Sequence, residues 1–395
     1  MFDEVLDIHK KNIGVLKLAT TESVHNNQDL AKMYTPGVAE LSLMIEKNHN
    51  LARELTISGK LVAIITDGSA VLGLGNVGAQ AGLPIVEGKA LLYKDLAEVD
   101  AIPLAIEQRS VNEIVQTIGN LQSSFAGIHL EDIAAPKCFE IEEKLQEKLS
   151  IPVYHDDQEG TAIIVLAALI NAAKLKNKSL SDLHIVINGI GASGVATARL
   201  LIAAGITNLT LIDKQGVLKK KDQTLNKYQR ELLNHINKTK IEASTLDDAI
   251  AGQDVFIGLS VGNILTSEMI KKMGNNPIIF ALANPLPEIE PDIAKEAGVN
   301  LIATGSSKFS NQVNNILVFP GLFKGLLISK ANKVDVSLQY EIAKSIAAMV
   351  KNPTPEKFIP NVFDRGVVDA VSQTVITYVQ KIKEKEEMPY VNKIK

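Results

Sequence analysis

The sequence predicts an α/β protein, with a small N-terminal α/β domain followed by a doubly wound parallel sheet and a C-terminal helical segment. Its 395 residues, 46% of them hydrophobic, are enough for about two domains of ordinary size. Strand and helix patterns alternate regularly after residue 158, whereas the preceding segment is mixed. We therefore expect two domains, at residues 1–158 and 159–395.

The elements follow from runs of apolar residues. In the first half, an amphipathic helix is expected around Phe2, Val5 and Leu6, and strands are expected at LVAIITDG and DAIPLAI. In the second half, the helix TAIIVLAALINAAKL precedes the strands LHIVING, LTLID, DVFIGL, PIIFAL and LIATG, and helical patterns return from about Pro320 to Val379. Short, continuously apolar strands alternating with helices are typical of a parallel sheet covered on both faces.

Composition narrows the class of partner. The formal net charge of −4 lacks the basic surface that nucleic-acid binding requires. A single cysteine, Cys138, cannot form an intramolecular disulfide, and the acidic N-terminus does not resemble a signal peptide. The longest apolar run, residues 163–170, is too short to cross a bilayer. We expect a cytoplasmic protein that acts on a small molecule and binds neither nucleic acid nor membrane.

A glycine-rich segment after the strand HIVIN has the features of a dinucleotide-binding loop. It reads GIGASG and comprises Gly189, Ile190, Gly191, Ala192, Ser193 and Gly194. A helix follows directly, and the strand LTLID then ends in Asp213. In a Rossmann-type unit, such glycines let the backbone approach a pyrophosphate, the helix N-terminus supplies donors, and the acid accepts from ribose hydroxyls. Asp213 favours NAD, although the neighbouring Lys214 could accommodate NADP.

A second glycine-rich segment, GLGNVG, spans Gly73, Gly75 and Gly78. It lacks a strand–loop–helix unit with a terminal acid, and Pro84 follows soon after. We interpret it as a tight turn that lies near a ligand or serves only the structure.

Acidic residues cluster in two places, at Glu131 and Asp132 in HLEDIAAP and at Asp156 and Asp157 in IPVYHDDQEGTA. Carboxylates at the carboxyl end of a strand face the crevice where α/β proteins bind ligands. Oxygen ligands without cysteine suit Mg²⁺ or Mn²⁺ better than zinc. Taken alone, each pair is also compatible with a solvated loop.

Taken together, these motifs resemble the malic enzyme family in its short bacterial form, along nearly the whole chain. The shared motifs occur in the same order, as YTPGVAE, TDGSAVLGLGNVGAQAGLPIVEGKA, LEDIAAPKCFEIE, VYHDDQEGTA, NGIGASG, ALANPLPEI and NQVNNILVFPG. The resemblance implies oxidative decarboxylation of L-malate to pyruvate, with oxaloacetate as intermediate, NAD or NADP as acceptor, and Mg²⁺ or Mn²⁺. It also implies a homodimer in which the N-terminal helix helps to form the interface.

The resemblance assigns roles to residues of this chain. Tyr34 matches the general acid and Lys89 the general base, and Asp156 helps to orient Lys89. The implied metal ligands are Glu131, Asp132 and Asp157. The implied substrate-binding residues are Asn284, Asn314 and Asn315, of which Asn284 also lies beside the cofactor. Burial near a cation is expected to lower the pKa of Lys89.

The sequence departs from the family pattern at two positions. Ser306 stands where an arginine is common, and Ala70 stands where larger members carry an arginine that grips malate. Two related activities stay open as alternatives, those of an oxaloacetate decarboxylase and of a malolactic enzyme. A third alternative, from another class, is a non-catalytic NAD-binding regulator, because fold alone does not establish function.

Overall fold

The structure of the chain, a computed structural model, describes residues 2–71, 73–237 and 245–387. The first half contains seven helices within the described ranges. They are α1 (Phe2–Asn12), α2 (Asn27–Met33), α3 (Gly37–Lys47), α4 (Ala52–Leu55), α5 (Ala79–Ala97), α6 (Val111–Leu121) and α7 (Lys137–Lys148). Its strands are β1 (Leu61–Thr66), β2 (Asp100–Ala105), β3 (Gly127–Glu131) and β4 (Val153–His155).

The first sheet is parallel and has the strand order β2-β1-β3-β4. Every residue of β3 and β4 is buried, as are five of the six in β1, which is typical of a parallel sheet covered on both faces. Thr66 pairs with Glu131, and Leu130 pairs with His155. The carboxyl ends of three strands therefore meet at one edge of the sheet.

The second half contains the helices α8 (Thr161–Leu175), α9 (Ala192–Ala203), α10 (Lys227–His235), α11 (Leu246–Ala249), α12 (Ser267–Lys272), α13 (Pro291–Glu296), α14 (Phe319–Ser329), α15 (Val336–Ala348) and α16 (Val367–Glu387). Its strands are β5 (Ile185–Asn188), β6 (Leu209–Asp213), β7 (Gly216–Val217), β8 (Val255–Gly258), β9 (Ile278–Ala281) and β10 (Leu301–Thr304).

The second sheet has the strand order β10-β9-β8-β5-β6-β7, and only the short edge strand β7 is antiparallel. The chain builds outward from β5 in one direction and then from β8 in the other. The crevice at the carboxyl ends of β5 and β8 is therefore the switch point at which such sheets bind ligands. The predicted α/β fold with a doubly wound parallel sheet is confirmed.

Helix α8 connects the two sheets and is buried along most of its length. The helical stretch Asp156–Leu175 is long and apolar enough to cross a membrane, but 78% of its most apolar window is buried inside the protein. Such burial is typical of the core helix of a globular protein.

Helix α14 returns to the first half of the chain. Its residues Phe319 and Phe323 contact Tyr93 of α5, with ring centroids 4.9 and 5.6 Å apart. Phe323 also lies 2.7 Å from the position that a Cβ at Gly127 of β3 would take, so a larger residue there would collide with the ring. The C-terminal segment thus covers the first sheet, although it is distant from that sheet in sequence.

The N-terminal arm, defined here as residues 2–56, contains no buried residue. Several of its apolar side chains are exposed, among them Phe2, Leu43 and Met44. One tether to the rest of the protein is the backbone N–H of Val15, which donates to the Glu87 carboxylate at 2.8 Å. The arm therefore presents a large apolar surface to the outside of the single chain.

A buried amide on α8 provides a test of the core. The Asn171 side chain is fully buried and donates to the carbonyl oxygens of Ala347 and Phe358 at 2.8 and 3.0 Å. Because Asn171→Ala leaves both carbonyls without this donor, we expect a loss of about 1–3 kcal/mol in unfolding free energy by urea denaturation. Asn120→Ala, on the exposed face of α6, is the control and should change stability by less than about 0.5 kcal/mol. Equal stability of both variants would contradict this role of Asn171.

Candidate active site

Acidic side chains converge where the strands of the first sheet end. Glu131 is the last residue of β3, and Asp132 follows it in a left-handed conformation with φ of 55°. Asp156 and Asp157 follow β4 in a π-helical turn, Asp156–Gly160, that leads directly into α8. The backbone N–H of Asp132 donates to Asp157 at 2.8 Å and holds the two loops together.

Three of these acids form a candidate metal site. Ligand atoms of Glu131, Asp132 and Asp157 lie within 4.8 Å of one another. All three donors are hard carboxylate oxygens, which Mg²⁺ and Mn²⁺ prefer. The donor set therefore fits the predicted ion, and the structure brings together the three ligands predicted from the sequence.

Lys89 projects from α5 into this cluster, and its side chain is only 12% exposed. Its ammonium group lies 2.7 Å from Glu131 Oε2 and is bonded to Asp156 Oδ2. The Tyr154 hydroxyl donates to the other oxygen of Asp156 at 2.6 Å. Asp156 is thus fixed between Tyr154 and Lys89, where it can orient the lysine.

The pKa values reflect burial and crowding of charge. Burial, only partly offset by Lys89, raises the pKa of Glu131 to about 8. Burial and the neighbouring Glu131 raise the pKa of Asp157 to about 8 as well. Burial would raise the pKa of Asp156 too, but Lys89, His129 and the Tyr154 hydroxyl together outweigh it and keep that pKa below its usual range. A cation bound here would favour the ionised forms of Glu131 and Asp157 together.

The expected fall in the pKa of Lys89 beside a cation stays a prediction; without a cation, this pKa lies above its ordinary value. Burial does lower it, but the attraction of Asp156, Glu131 and Asp157 is larger in sum and raises the pKa above its ordinary value. The expected pKa followed from burial and a nearby cation alone, without the carboxylates that surround the amine.

Two residues behind the acids, His129 and Tyr93, received no role from the sequence. His129 is fully buried. Its Nδ1 forms a hydrogen bond with the Tyr93 hydroxyl at 2.8 Å, and its Nε2 lies 2.9 Å from Glu131 Oε2. Burial lowers the pKa of His129 to about 3, so the ring is neutral. The available signal was the position of His129 two residues before Glu131, on the same face of β3.

The dinucleotide loop has the geometry that the glycines predict. Gly189 has φ of 104°, and a Cβ there would lie 2.6 Å from the carbonyl oxygen of Leu259. A Cβ at Gly194 would lie 1.9 Å from the carbonyl oxygen of Gly189, so only glycine fits without movement. Gly191 caps the N-terminus of α9, which begins at Ala192. Asp213 ends β6 and accepts from the backbone N–H of Gln215 at 3.1 Å.

Two adjoining cavities connect this loop to the acids. One, of about 420 Å³, is lined by Asp157 and Ser193 together with the three predicted asparagines, Asn284, Asn314 and Asn315. The other, of about 560 Å³, is lined by Gly189, Asp213 and Lys214 among others. Ser260 and Val261 line both cavities. Most of the predicted ligand-binding residues therefore border one extended cleft.

The loop at Gly73, Gly75 and Gly78 also reaches this cleft. All three glycines have positive φ, and Gly73 lines the first cavity beside Asn284 and Pro285. Ala70, just before the loop, donates its backbone N–H to the carbonyl oxygen of Asp132 at 2.9 Å. The loop is thus a turn close to the candidate site, as one of the two interpretations expected.

Tyr34 is the predicted residue that the structure does not bring to the cluster. It lies at the end of α2 in the N-terminal arm and is 66% exposed. Among the contacts of the described residues, none joins its hydroxyl to Lys89 or to the acids. Asn314 has a local role as well, since its side chain accepts from the backbone N–H of Ile316 at 3.0 Å.

The comparisons with known proteins point in one direction. Two protein-family models match, malic enzyme N-terminal domain over residues 13–146 and malic enzyme NAD binding domain over residues 158–383. The bifunctional malic/malolactic enzyme of Bacillus subtilis is 44% identical over 94% of this chain and 92% of its own length. The NAD-dependent malic enzyme of Geobacillus stearothermophilus is 43% identical over 95% of this chain and 79% of its own length.

A solved structure is similar over the same span. The crystal structure of the NAD-dependent malic enzyme from Thermotoga maritima is 41% identical, with a TM-score of 0.91, over 94% of this chain and 98% of that chain.

The acid cluster predicts a specific response to Mn²⁺. At an Mn²⁺ concentration a hundredfold above its Kd, we expect stabilisation by about 2.7 kcal/mol, measured as a rise in Tm. Asp157→Asn should lose this response. Because burial raises the pKa of Asp157, we expect the metal-free variant to be no less stable than the wild type at neutral pH.

The control is Asp292→Asn, an acid that is 87% exposed in its side chain and lies on α13. It should respond to Mn²⁺ like the wild type. An unchanged response in Asp157→Asn would remove Asp157 from the metal site.

Proposed function

The chain belongs to the malic enzyme family and is a decarboxylating oxidoreductase that acts on malate, and from this premise we propose how its own residues carry out the reaction. The proposed reaction converts L-malate to pyruvate and CO₂ with NAD as acceptor and Mg²⁺ or Mn²⁺ as the metal. The non-catalytic alternative is set aside, because the relatives and both family models are malic enzymes.

One observation carries the proposal. The buried cluster of Lys89 with Glu131, Asp156 and Asp157 opens, at Asp157, into the cavity that Ser193 of the dinucleotide loop also lines. A base, a candidate metal site and a cofactor loop thus border one cleft. A protein that only bound a dinucleotide would have no use for a buried lysine among three acids.

The proposed metal ligands are Glu131, Asp132 and Asp157. A bound Mg²⁺ or Mn²⁺ would supply a Lewis acid that polarises the C2 oxygen of the substrate, and NAD would accept the hydride from C2. Asn284, Asn314 and Asn315, which line the same cavity, are the proposed donors to the substrate carboxylates. Their amide N–H groups can donate hydrogen bonds to these carboxylates, where Ala70 and Ser306 provide no positive charge.

Lys89 is the proposed general base for the C2 hydroxyl proton. It can act only when neutral, and the carboxylates around it favour its charged form. A divalent cation beside Glu131 and Asp157 would compensate the same negative charges, so its binding lowers the pKa of Lys89 towards the working range. Asp156, held by Tyr154, keeps the amine in position after the proton has moved.

Tyr34 is the proposed general acid, which protonates C3 after CO₂ has left. Its high exposure in the single chain supports a homodimer in which a second copy covers the N-terminal arm. In that arrangement Tyr34 of one subunit completes the cluster around Lys89 of the other. The unburied apolar arm supports the same dimer, because exposed patches of this kind mark association surfaces.

NAD is the proposed acceptor. Asp213 lines the second cavity at the end of β6, where its negative charge favours ribose hydroxyls over a 2′-phosphate. Lys214 lines the same cavity, so NADP is the alternative acceptor to be measured beside NAD.

A malolactic activity is the second candidate. The Bacillus subtilis relative is named a bifunctional malic/malolactic enzyme, and it matches this chain over nearly its full length. In that reaction the reduced cofactor would stay bound and lactate would be released. An oxaloacetate decarboxylase would use the same acids without a net redox change.

The proposal also includes a division into domains and a cellular location. The division into domains at residues 1–158 and 159–395 is supported by the separate sheets and by the limits of the two family models. A cytoplasmic location is supported by the composition and by the single buried cysteine.

The Lys89→Ala variant tests the chemistry. We expect it to oxidise malate at least about a hundredfold more slowly, because the base is gone. The assay follows absorbance at 340 nm with L-malate, Mn²⁺ and either NAD or NADP, and then measures pyruvate and lactate in the same sample. Lys94→Ala, on an exposed part of α5, is the matched control and should stay active.

Full activity of Lys89→Ala would exclude the lysine as base. Lactate without free NADH would favour the malolactic reaction, and consumption of oxaloacetate without any turnover of malate would favour the decarboxylase.

Mixed dimers test the position of Tyr34. Tyr34→Phe should impair protonation of enolpyruvate more than hydride transfer to oxaloacetate, so that variant and Lys89→Ala are both weak in the full reaction. When the two are co-expressed in equal amounts, about a quarter of wild-type activity should return, because half of the dimers are mixed and each has one intact site. No return of activity in verified mixed dimers would place both residues in the same subunit's site.

A further inference from the structure

Glu131 makes its protein contacts through a single oxygen. Lys89 Nζ lies 2.7 Å from Glu131 Oε2, and His129 Nε2 lies 2.9 Å from the same atom. Within the described residues, these contacts leave Oε1 as the oxygen that can face a cation. A carboxylate bound in this way is restricted to one orientation, because rotation would break both contacts.

The Tyr93 hydroxyl determines which imidazole nitrogen faces Glu131. A neutral ring carries one N–H, and an ionised carboxylate only accepts. When Glu131 is ionised as a metal ligand it can only accept, so in the 2.9 Å contact His129 Nε2 is the donor, and Nδ1 then accepts from the Tyr93 hydroxyl at 2.8 Å. A tautomer fixed through the second ring nitrogen is a recurrent feature around metal ligands.

Aromatic rings hold His129 in this orientation. The ring of Phe323 is stacked on the imidazole at a centroid distance of 6.1 Å, and those of Phe319 and Tyr154 approach edge-on at 5.6 Å. Because His129 and Tyr93 are both fully buried, water does not compete for their hydrogen bonds.

We propose that His129 and Tyr93 are positioning residues that keep Glu131 Oε2 bound to the protein and Oε1 directed to the divalent cation. The proposal rests on the function proposed above, in which Glu131 is a metal ligand. In this proposal neither residue binds the substrate or the cation, and both act through Glu131.

Lys89 alone cannot hold Glu131 in one orientation throughout the reaction. As general base it gains and loses a proton, and the neutral amine binds Glu131 more weakly than the ammonium group does. The imidazole keeps its N–H at every step, since it takes no part in the proton transfer. His129 therefore holds the ligand while the charge of Lys89 changes.

The test measures Mn²⁺ binding to the full-length protein by EPR, with Mn²⁺ alone as probe. His129→Leu removes the donor, and we expect its Kd for Mn²⁺ to rise about 10–100-fold. His129→Gln places an amide N–H near the position of Nε2, so its Kd should stay within about threefold of wild type. Tyr93→Phe leaves the tautomer unrestrained and should give an intermediate Kd.

A second measurement separates positioning from general damage. In His129→Gln and Tyr93→Phe, which conserve size, any loss of malate oxidation should disappear at saturating Mn²⁺. Wild-type Mn²⁺ affinity in folded His129→Leu and Tyr93→Phe would overturn the proposal. If His129→Leu does not fold, equal affinity of Tyr93→Phe and wild type overturns it alone.

Mn²⁺ binding by the wild-type protein shows whether a negative result contradicts the positioning role alone or the proposed function as well. If wild-type protein binds no Mn²⁺, the metal site itself is wrong, and both proposals fail. If wild type binds Mn²⁺ and Asp157→Asn does not, while the His129 and Tyr93 variants bind normally, only the positioning role is overturned.

Discussion

The burial of one ammonium group among several carboxylates is the interaction on which the rest of this structure depends. Lys89 lies against Glu131 and Asp156, and each of these groups would be costly to bury alone. Burial raises the pKa values of Glu131 and Asp157, and Lys89 offsets this effect only in part. A divalent cation would favour the ionised form of both acids, so the site is suited to a positive charge that the chain itself does not carry.

The π-helical turn Asp156–Gly160 explains how two adjacent acids serve different partners. Asp156 is turned inward to Tyr154 and Lys89, whereas Asp157 lies at the cavity and accepts from the backbone of Asp132. The turn continues into α8, which is packed against the helices of the second half. The candidate metal site thus combines two residues at the end of β3 with one residue at the start of the connection between the two sheets.

Local sequence was sufficient to predict the dinucleotide loop and the acids at the strand ends. Gly189, Gly194 and Asp213 belong to one strand–loop–helix–strand unit, and the carboxyl end of a parallel strand is a position that sequence order reveals. Other features depend on contacts between distant residues. Lys89 and Asp156 are 67 residues apart, so the direction of the pKa shift could not be seen from either motif alone.

Two more features escaped the sequence for physical reasons. His129 flanks the acids in sequence but received no role, because its partner Tyr93 lies on another element. Tyr34 was assigned by resemblance, and in the single chain it is 66% exposed on an arm without buried residues. The homodimer proposed above would bury it.

The return of α14 to the first sheet has a consequence for synthesis of the protein. Chains emerge from the ribosome N-terminus first, and domains generally fold as units in that order. Here the aromatic rings behind His129 come from Phe319 and Phe323, almost two hundred residues after β3. The acids of the first half therefore emerge long before the aromatic side chains that pack behind them. A chain that ended near residue 158 would contain those acids without Phe319 and Phe323 packed behind them. The first half therefore completes its packing only when the C-terminal segment has folded against it.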